Sequence, residues 1–239
     1  MKILYIFPHP DDESFGPAPA ISKQIRSGDE VYLLTLTKGG ATKERFKYGY
    51  SIEQMGETRF KEMQEVAKAL NLTELKVLEL PDSGLKEMDP RDIEAAIRHE
   101  VERIKPDILI TYAVHGVSGF PDHLITHGIV KRVFVEMKDS NAGFPKRLAF
   151  FTLNEMQAKT SSGIHQLKFS QREDIDCVIE VEKIDIENFH KALDCYETYK
   201  DVIEATNVKD SVDRRIYFEI FQEKFDPPLS SLSEEMGKR

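Results

Sequence analysis

Short apolar runs alternate along this chain with amphipathic segments of helical spacing, and this alternation limits the fold more than any other feature. The pattern is typical of an α/β fold with a mostly parallel sheet and helices on both faces. The predicted strands are 2–7, 31–37, 77–80, 107–112, 147–153 and 177–181. The predicted helices are 18–27, 57–70, 92–104, 124–137 and 184–199. We expect residues 1–226 to form a single domain and residues 227–239, which are rich in Ser, Pro and charge, to form a flexible C-terminal tail.

The first predicted strand ends in one imidazole and three carboxylates, those of His9, Asp11, Asp12 and Glu13. In an open α/β sheet, ligands bind outside the carboxyl ends of the strands, where these side chains would lie. One interpretation is that the three acidic residues only cap the next helix, whose N-terminus favours carboxylates. The additional imidazole of His9 favours a divalent metal site. His9 and Asp12 can then supply two ligands, and Asp11 can accept a proton from metal-bound water.

A second polar segment, Asp122 to His127, follows the fourth predicted strand. Catalytic zinc typically has three His or carboxylate ligands and keeps a fourth position for water. We therefore predict that His123 is the third ligand, at the start of the following helix. His127 lies one turn further along and could share a face with His123. Because three ligands are already present, a supporting or surface role is predicted for His127.

The composition excludes several classes of protein. The net charge is −9, the pI is about 5.4 and no long Lys/Arg run is present, so the sequence does not predict a nucleic-acid-binding protein. No apolar run is long enough to span a bilayer and the N-terminus has the pattern of a strand, so we expect a cytoplasmic protein without a membrane span. The two cysteines, Cys177 and Cys195, indicate neither a disulfide framework nor a Cys-rich zinc site.

Two motifs closely resemble those of the PIG-L/LmbE family of zinc-dependent N-acetylglucosaminyl deacetylases. They are His-Pro-Asp-Asp-Glu at residues 9–13 and Gly-Phe-Pro-Asp-His at residues 119–123. Less specific similarities occur at residues 36–40, 59–62 and 80–85. The resemblance implies a Rossmann-like fold that binds no dinucleotide. It also implies that zinc, or another divalent transition metal, is held by His9, Asp12 and His123.

The same resemblance implies an enzyme that removes an N-acetyl group from an amino sugar or N-acetylglucosamine conjugate. Metal-bound water would attack the amide, with Asp11 as the general base. Positions that match Arg59 and Asp82 lie near the sugar in the family, so both are candidate substrate contacts. The alternatives are a surface ion pair between Arg59 and Glu62 and a turn-forming role for Asp82. The expected partner is a small acetylated amino sugar, with a homo-oligomer left open.

The chain departs from the family at Phe120, where relatives commonly have a histidine that stabilises the oxyanion or protonates the leaving group. A phenyl ring can do neither. His115 is the nearest imidazole on the same loop and is our candidate for this catalytic role, the alternative being an ordinary loop histidine. Tyr112 or Tyr196 could instead supply an oxyanion donor. The departure also allows a metal-binding family member with an altered substrate or without turnover.

A different metal hydrolase, such as a magnesium-dependent phosphoesterase, is a further alternative because paired aspartates suit hard cations. The two histidines argue against it, since imidazole suits zinc and its neighbours better than magnesium.

Overall fold

The computed structural model describes residues 1–140, 142–160 and 166–236 of the chain. The strands are β1 (Lys2–Phe7), β2 (Glu30–Thr37), β3 (Glu74–Leu80), β4 (Ile108–Tyr112), β5 (Arg147–Thr152), β6 (Cys177–Glu180) and β7 (Arg215–Ile220). The α-helices are α1 (Ala18–Arg26), α2 (Arg45–Tyr48), α3 (Ile52–Leu70), α4 (Pro90–Ile104), α5 (Pro121–Asp139), α6 (Glu155–Thr160), α7 (Lys183–Asp194), α8 (Lys200–Thr206) and α9 (Val208–Ser211).

The strands form one sheet in the order β3-β2-β1-β4-β5-β7-β6. The first five strands pair in parallel, and β7 pairs antiparallel with both β5 and β6. The predicted α/β class and mostly parallel sheet are confirmed. The antiparallel β7 was not predicted, and it joins β6 to the parallel part of the sheet.

Strand β1 is buried on both faces of the sheet, as expected for a central parallel strand. Side chains alternate along a strand, so Ile3, Tyr5 and Phe7 belong to one core cluster while Leu4 and Ile6 belong to the other. Helices α1, α3 and α7 pack together, and α4 packs on α5. The core therefore has two layers, one on each face of the sheet.

Several boundaries differ from the predicted ones. Helix α3 begins at Ile52 rather than Glu57, because Ser51 and Gln54 form a capping box. The sequence predicts no helix or strand between residues 153 and 177, but residues 155–160 form α6. Residues 161–165 lie outside the described residues.

The described part of the C-terminal tail, residues 227–236, packs on the sheet, which differs from the predicted loose tail. Leu229 donates a backbone hydrogen bond of 2.9 Å to Asp176 and accepts one of 2.8 Å from Val178. The buried Arg147 guanidinium donates to the backbone carbonyls of Leu232 and Glu234. Residues 237–239 of the predicted tail lie outside the described residues, and the predicted domain boundary at residue 226 stays a prediction.

The order of the strands determines where a ligand can bind. The chain runs from β1 outward to β2 and β3, and then returns to place β4 on the other side of β1. Such a reversal opens a crevice at the carboxyl ends of the two central strands. The segments that follow β1 and β4 carry the two polar motifs found in the sequence, so the fold brings these motifs together.

Candidate metal centre

The structure brings together His9, Asp12 and His123, whose candidate ligand atoms all lie within 4.8 Å of one another. Nε2 of His123 is 3.3 Å from Oδ1 of Asp12, and Nδ1 of His9 is 3.6 Å from Oδ2 of Asp12. His9 and Asp12 lie in the turn after β1. His123 lies in the first turn of α5, which begins at Pro121 and not at Leu124 as predicted.

The acidic residues after β1 do not cap a helix. The Asp12 carboxylate accepts a 2.8 Å hydrogen bond from the backbone N–H of His9, while the Asp11 carbonyl accepts two from Ser14 and Phe15. Helix α1 begins only at Ala18, and no side chain caps it. The capping interpretation of this acidic run is therefore wrong, because these groups close a turn that precedes α1.

Hydrogen bonds fix the orientation of both histidine rings. Nδ1 of His123 lies 2.9 Å from the carbonyl of Gly116 and donates to it, which leaves the Nε2 lone pair directed at Asp12. Nε2 of His9 faces the carboxylates of Asp122 at 3.2 Å and Asp82 at 3.4 Å, which leaves Nδ1 directed at Asp12. Gly116 has φ +64°, and a Cβ there would lie 2.9 Å from Cβ of His123. Glycine therefore permits this close approach.

This donor set fits a divalent metal ion. Two imidazole nitrogens and one carboxylate oxygen converge, and ligating histidines usually donate their other N–H to a carboxylate or a carbonyl, as both do here. A second group, formed by His9, Asp82 and Asp122, also has ligand atoms within 4.8 Å of one another. Its geometry is explained by the His9 Nε2–H donating to the two carboxylates.

Asp11 lies beside this cluster in an unusual backbone conformation, with φ +86°. Its Oδ2 accepts a 2.8 Å hydrogen bond from Nη2 of Arg59, and its backbone N–H donates to the Tyr196 hydroxyl at 2.8 Å. Burial raises the pKa of the Asp11 carboxyl group to about 7, against the opposing effect of the Arg59 charge. A carboxylate with a pKa near neutrality is suited to exchange protons at physiological pH.

Arg59 is buried, with only 2% of its surface exposed. Besides Asp11, its guanidinium donates to the carbonyls of Pro10 at 2.8 Å and Gly39 at 3.1 Å, and it lies 4.0 Å from the centre of the Tyr199 ring. Gly39 has φ +64°, and a Cβ there would lie 2.3 Å from Nη1 of Arg59. Glycine at this position therefore leaves room for the guanidinium.

The suggested surface ion pair between Arg59 and Glu62 is wrong. The Glu62 carboxylate instead accepts hydrogen bonds from the backbone N–H and the hydroxyl of Thr198, at 2.8 and 2.7 Å. Asp82 also does more than close its own turn, because its Oδ2 accepts a 2.6 Å bond from the backbone N–H of Ala41 in the loop after β2. Both Arg59 and Asp82 line the cavity that contains the metal cluster.

Phe120 occupies the N-cap position of α5 and is 41% exposed. Its ring meets that of His123 edge-on, with the ring centres 5.6 Å apart. His115 is not brought to the cluster. Its Nδ1 accepts a 3.1 Å bond from the backbone N–H of Val117, and its Nε2 lies 3.3 Å from the hydroxyls of both Ser170 and Thr152. In this position His115 cannot take the role of the histidine that relatives commonly have at the place of Phe120.

The two tyrosines considered as oxyanion donors are engaged elsewhere. The Tyr112 hydroxyl donates to Oδ1 of Asp12 at 2.8 Å, and its ring stacks on His123 with a centre-to-centre distance of 4.4 Å. The Tyr196 hydroxyl donates to Oε1 of Glu13 at 2.7 Å. Nδ1 of His127 lies 2.8 Å from the Tyr112 carbonyl, so the ring of His127 is turned away from the ligand cluster.

Sequence reasoning missed the supporting roles of three groups at the site, although it considered Tyr196 as an oxyanion donor. Tyr196, Asp122 and the carbonyl of Gly116 each contact a candidate functional residue. Asp122 was visible as part of the second motif. Nothing in the sequence connects Tyr196 with Asp11, which precedes it by 185 residues.

Comparison with known proteins places these features in one family. The PIG-L family profile, described as GlcNAc-PI de-N-acetylase, matches residues 4–134. A 1D-myo-inositol 2-acetamido-2-deoxy-alpha-D-glucopyranoside deacetylase of Thermomonospora curvata is 30% identical over 152 residues, which are 55% of this chain and 51% of the relative. A mycothiol S-conjugate amidase of Streptomyces coelicolor is 30% identical over 158 residues, 59% of this chain and 54% of the relative. The chain thus spans about half the length of these curated relatives.

A solved structure of a deacetylase from the biosynthesis pathway of teicoplanin has a similar fold. It superimposes with a TM-score of 0.71 at 13% identity and covers 92% of this chain and 97% of that one. At this identity the likeness concerns the fold alone. Among the described residues, no helix is long and apolar enough to cross a bilayer.

Proposed function

We propose that this chain is a zinc-dependent hydrolase of N-acetylated amino sugars or N-acetylglucosamine conjugates. The chain belongs to the PIG-L family of GlcNAc-PI de-N-acetylases. The observation that carries the proposal is the convergence of His9, Asp12 and His123 beside the part-buried Asp11–Arg59 pair. The names of the curated relatives support an amide as the bond that is cleaved.

We assign His9, Asp12 and His123 as the metal ligands and zinc as the metal, since two imidazoles and one carboxylate suit zinc better than hard cations. Another divalent transition metal would fit the same donors. A bound ion would supply a Lewis acid for the amide carbonyl and make a water molecule acidic enough to ionise near neutral pH.

The residues of the chain would carry the proton transfers. Arg59 holds Oδ2 of Asp11 at 2.8 Å, so Oδ1 is the oxygen that we assign to accept the proton of the attacking water. Because Phe120 stands where relatives commonly have histidine, we assign delivery of that proton to the leaving nitrogen to Asp11 as well. Arg59 then acts as a positioning residue, and Asp82 stays our candidate substrate contact at the cavity wall.

A second candidate function is a family member that binds metal and ligand without turnover. The described residues that line the cavity include only two imidazoles, those of His9 and His123, and the first proposal uses both as ligands. No further histidine of this lining is left to serve as a general acid.

Zinc content and product release distinguish the candidates. Metal-loaded protein is incubated with N-acetylglucosamine and several of its conjugates, and acetate, free amine and phosphate are measured. Equimolar acetate and amine support the deacetylase. Stoichiometric zinc with bound sugar but no product supports the second candidate. Phosphate release from phosphorylated conjugates supports a phosphoesterase. Failure to bind any metal contradicts all three functions.

A further inference from the structure

The cavity that contains the candidate metal centre also includes a group of apolar side chains, which we call the apolar chamber. It is lined by Phe151, Leu153, Phe189, Val208, Val212 and Ile216. These residues come from the end of β5 and the residue after it, from the start of β7, from α7, and from α9 and the residue after it. All of them follow residue 134, where the match to the family profile ends. These six side chains therefore come from the part of the chain that the profile does not cover, whereas Phe15 and Val117 of the matched part also line the cavity.

A wall of aromatic rings connects the chamber with the metal ligands. The Tyr112 ring stacks on His123, with centres 4.4 Å apart, and the Phe151 ring lies 6.1 Å from that of Tyr112. Phe151 is held by the close approach of Gly16, where a Cβ would lie only 2.5 Å from the ring. A group attached to an amide at the metal centre would thus reach the chamber along this wall.

The size and chemistry of the chamber do not match an acetyl group or a sugar ring alone. The whole cavity has a volume of about 850 Å³, which is near the upper end of the range of ligand pockets. Sugar hydroxyls need hydrogen-bonding partners, and these six side chains supply none, although Thr206, Ser211 and Asp213 of the same segment also line the cavity. Apolar groups gain from such walls, because each buried methylene improves affinity about fourfold.

We propose that the substrate amide carries an extended apolar group, a chain or an aromatic ring, that lies in the apolar chamber. This inference rests on the proposed function and deepens it by naming a substrate class. The apolar group can belong to the acyl part that is released or to the aglycone of the amino sugar. Both share the same chemistry, and two series of compounds separate them.

The first series contains N-acyl glucosamines with acyl chains of increasing length up to octanoyl, and the second contains alkyl N-acetylglucosaminides with alkyl chains up to octyl. We expect kcat/KM to rise at least about tenfold from the shortest to the longest member of one series, which identifies the side on which the apolar group lies. If kcat/KM is independent of chain length in both series, the inference is overturned.

A chamber variant links this preference to the named residues. Val212→Trp fills the chamber, and we expect the ratio of kcat/KM for the longest and the shortest member of the preferred series to fall about tenfold. Val135→Trp is the matched control, because Val135 is exposed on α5 and does not line the cavity. If Val212→Trp leaves the ratio unchanged, or Val135→Trp lowers it equally, the chamber does not bind the apolar group.

A binding measurement that needs no turnover tests the inference independently of the proposed function. Calorimetric titration of the Asp11→Asn protein with N-octanoylglucosamine and octyl N-acetylglucosaminide measures affinity even if no amide is cleaved. The inference is supported if one octyl-length compound binds more tightly than its short homologue and if this difference is lost in Asp11→Asn/Val212→Trp. This holds even if the wild-type protein releases no acid from any compound. Equal affinity for long and short homologues overturns the inference even if N-acetylglucosamine is deacetylated.

Discussion

The hydroxyl oxygen of Tyr196 accepts a 2.8 Å hydrogen bond from the backbone N–H of Asp11. The same hydroxyl donates to Oε1 of the fully buried Glu13 at 2.7 Å. Asp11 has φ +86°, a region that residues other than glycine rarely adopt, so its conformation needs support from its surroundings. Tyr196 supplies that support from the segment after α7.

Tyr196→Phe tests this support. The substitution removes the acceptor of the Asp11 N–H and the donor to Glu13, so we expect a lower kcat with unchanged metal content. We also expect a loss of about 1–3 kcal/mol in the free energy of unfolding, because the Asp11 N–H loses its acceptor and Oε1 of Glu13 keeps only the hydrogen bond from Ser14. Kinetics, metal analysis and urea denaturation measure the three effects. Tyr50→Phe, at a partly exposed position, is the control; equal effects of both substitutions would contradict a positioning role for Tyr196.

Asp11→Asn tests the general base. The amide keeps the size of the side chain but cannot accept the proton, so we expect kcat to fall by about 10²- to 10⁴-fold while zinc stays bound. Acetate release and metal analysis on the same sample measure both effects. Loss of zinc in step with activity would show that Asp11 belongs to the ligand set instead.

His123→Ala tests the metal site itself. The variant loses one of the three candidate ligands, so we expect it to lose bound metal and all hydrolysis together. His127→Ala is a matched control on the same helix, because the ring of His127 is turned to the Tyr112 carbonyl and should not be needed as a ligand. Competition with a chelator measures the zinc affinity of each variant. A protein that binds zinc equally well without the His123 ring would refute the ligand assignment.

The metal cluster was predictable because its signals are local. The apolar run of β1 ends in a turn that carries His9 and Asp12, and the run of β4 precedes the loop that leads to His123. Ligands bind at the carboxyl ends of such strands, so the two motifs could be placed side by side without knowledge of any distance.

Contacts between distant segments were not predictable in the same way. His115 was expected near the site from its place in the loop, but Gly116 and Val117 both have positive φ and turn the chain there. His115 is thereby directed to Thr152 and Ser170 rather than to the cluster. Strand β7 pairs antiparallel with strands on both sides, so no βαβ pattern precedes it.

Arg147→Met tests the packing of the C-terminal segment. The buried guanidinium makes two hydrogen bonds to Glu223, of 2.9 and 2.8 Å, and donates to two carbonyls of the tail, which the methionine would leave unpaired. Removing one partner of a buried ion pair typically costs about 3–5 kcal/mol, and we expect a destabilisation of this size in urea.

The control for Arg147 is Arg132→Met, since Arg132 is 62% exposed and pairs with Glu94 on the surface. We expect it to change stability by less than about 1 kcal/mol. Similar destabilisation by both substitutions would mean that the tail contacts of Arg147 add nothing beyond an ordinary surface charge.

Phe120→His tests whether the missing imidazole limits turnover. Phe120 lines the cavity, and its ring already lies edge-on to that of His123, so a histidine there would bring a titratable nitrogen to the candidate site. A positioned general acid typically contributes about 10²- to 10⁴-fold, and we expect kcat for acetate release to rise at least tenfold. Phe120→Leu controls for the loss of the phenyl ring and should not raise kcat. An unchanged kcat in Phe120→His would mean that protonation of the leaving nitrogen, which we assign to Asp11, does not limit turnover.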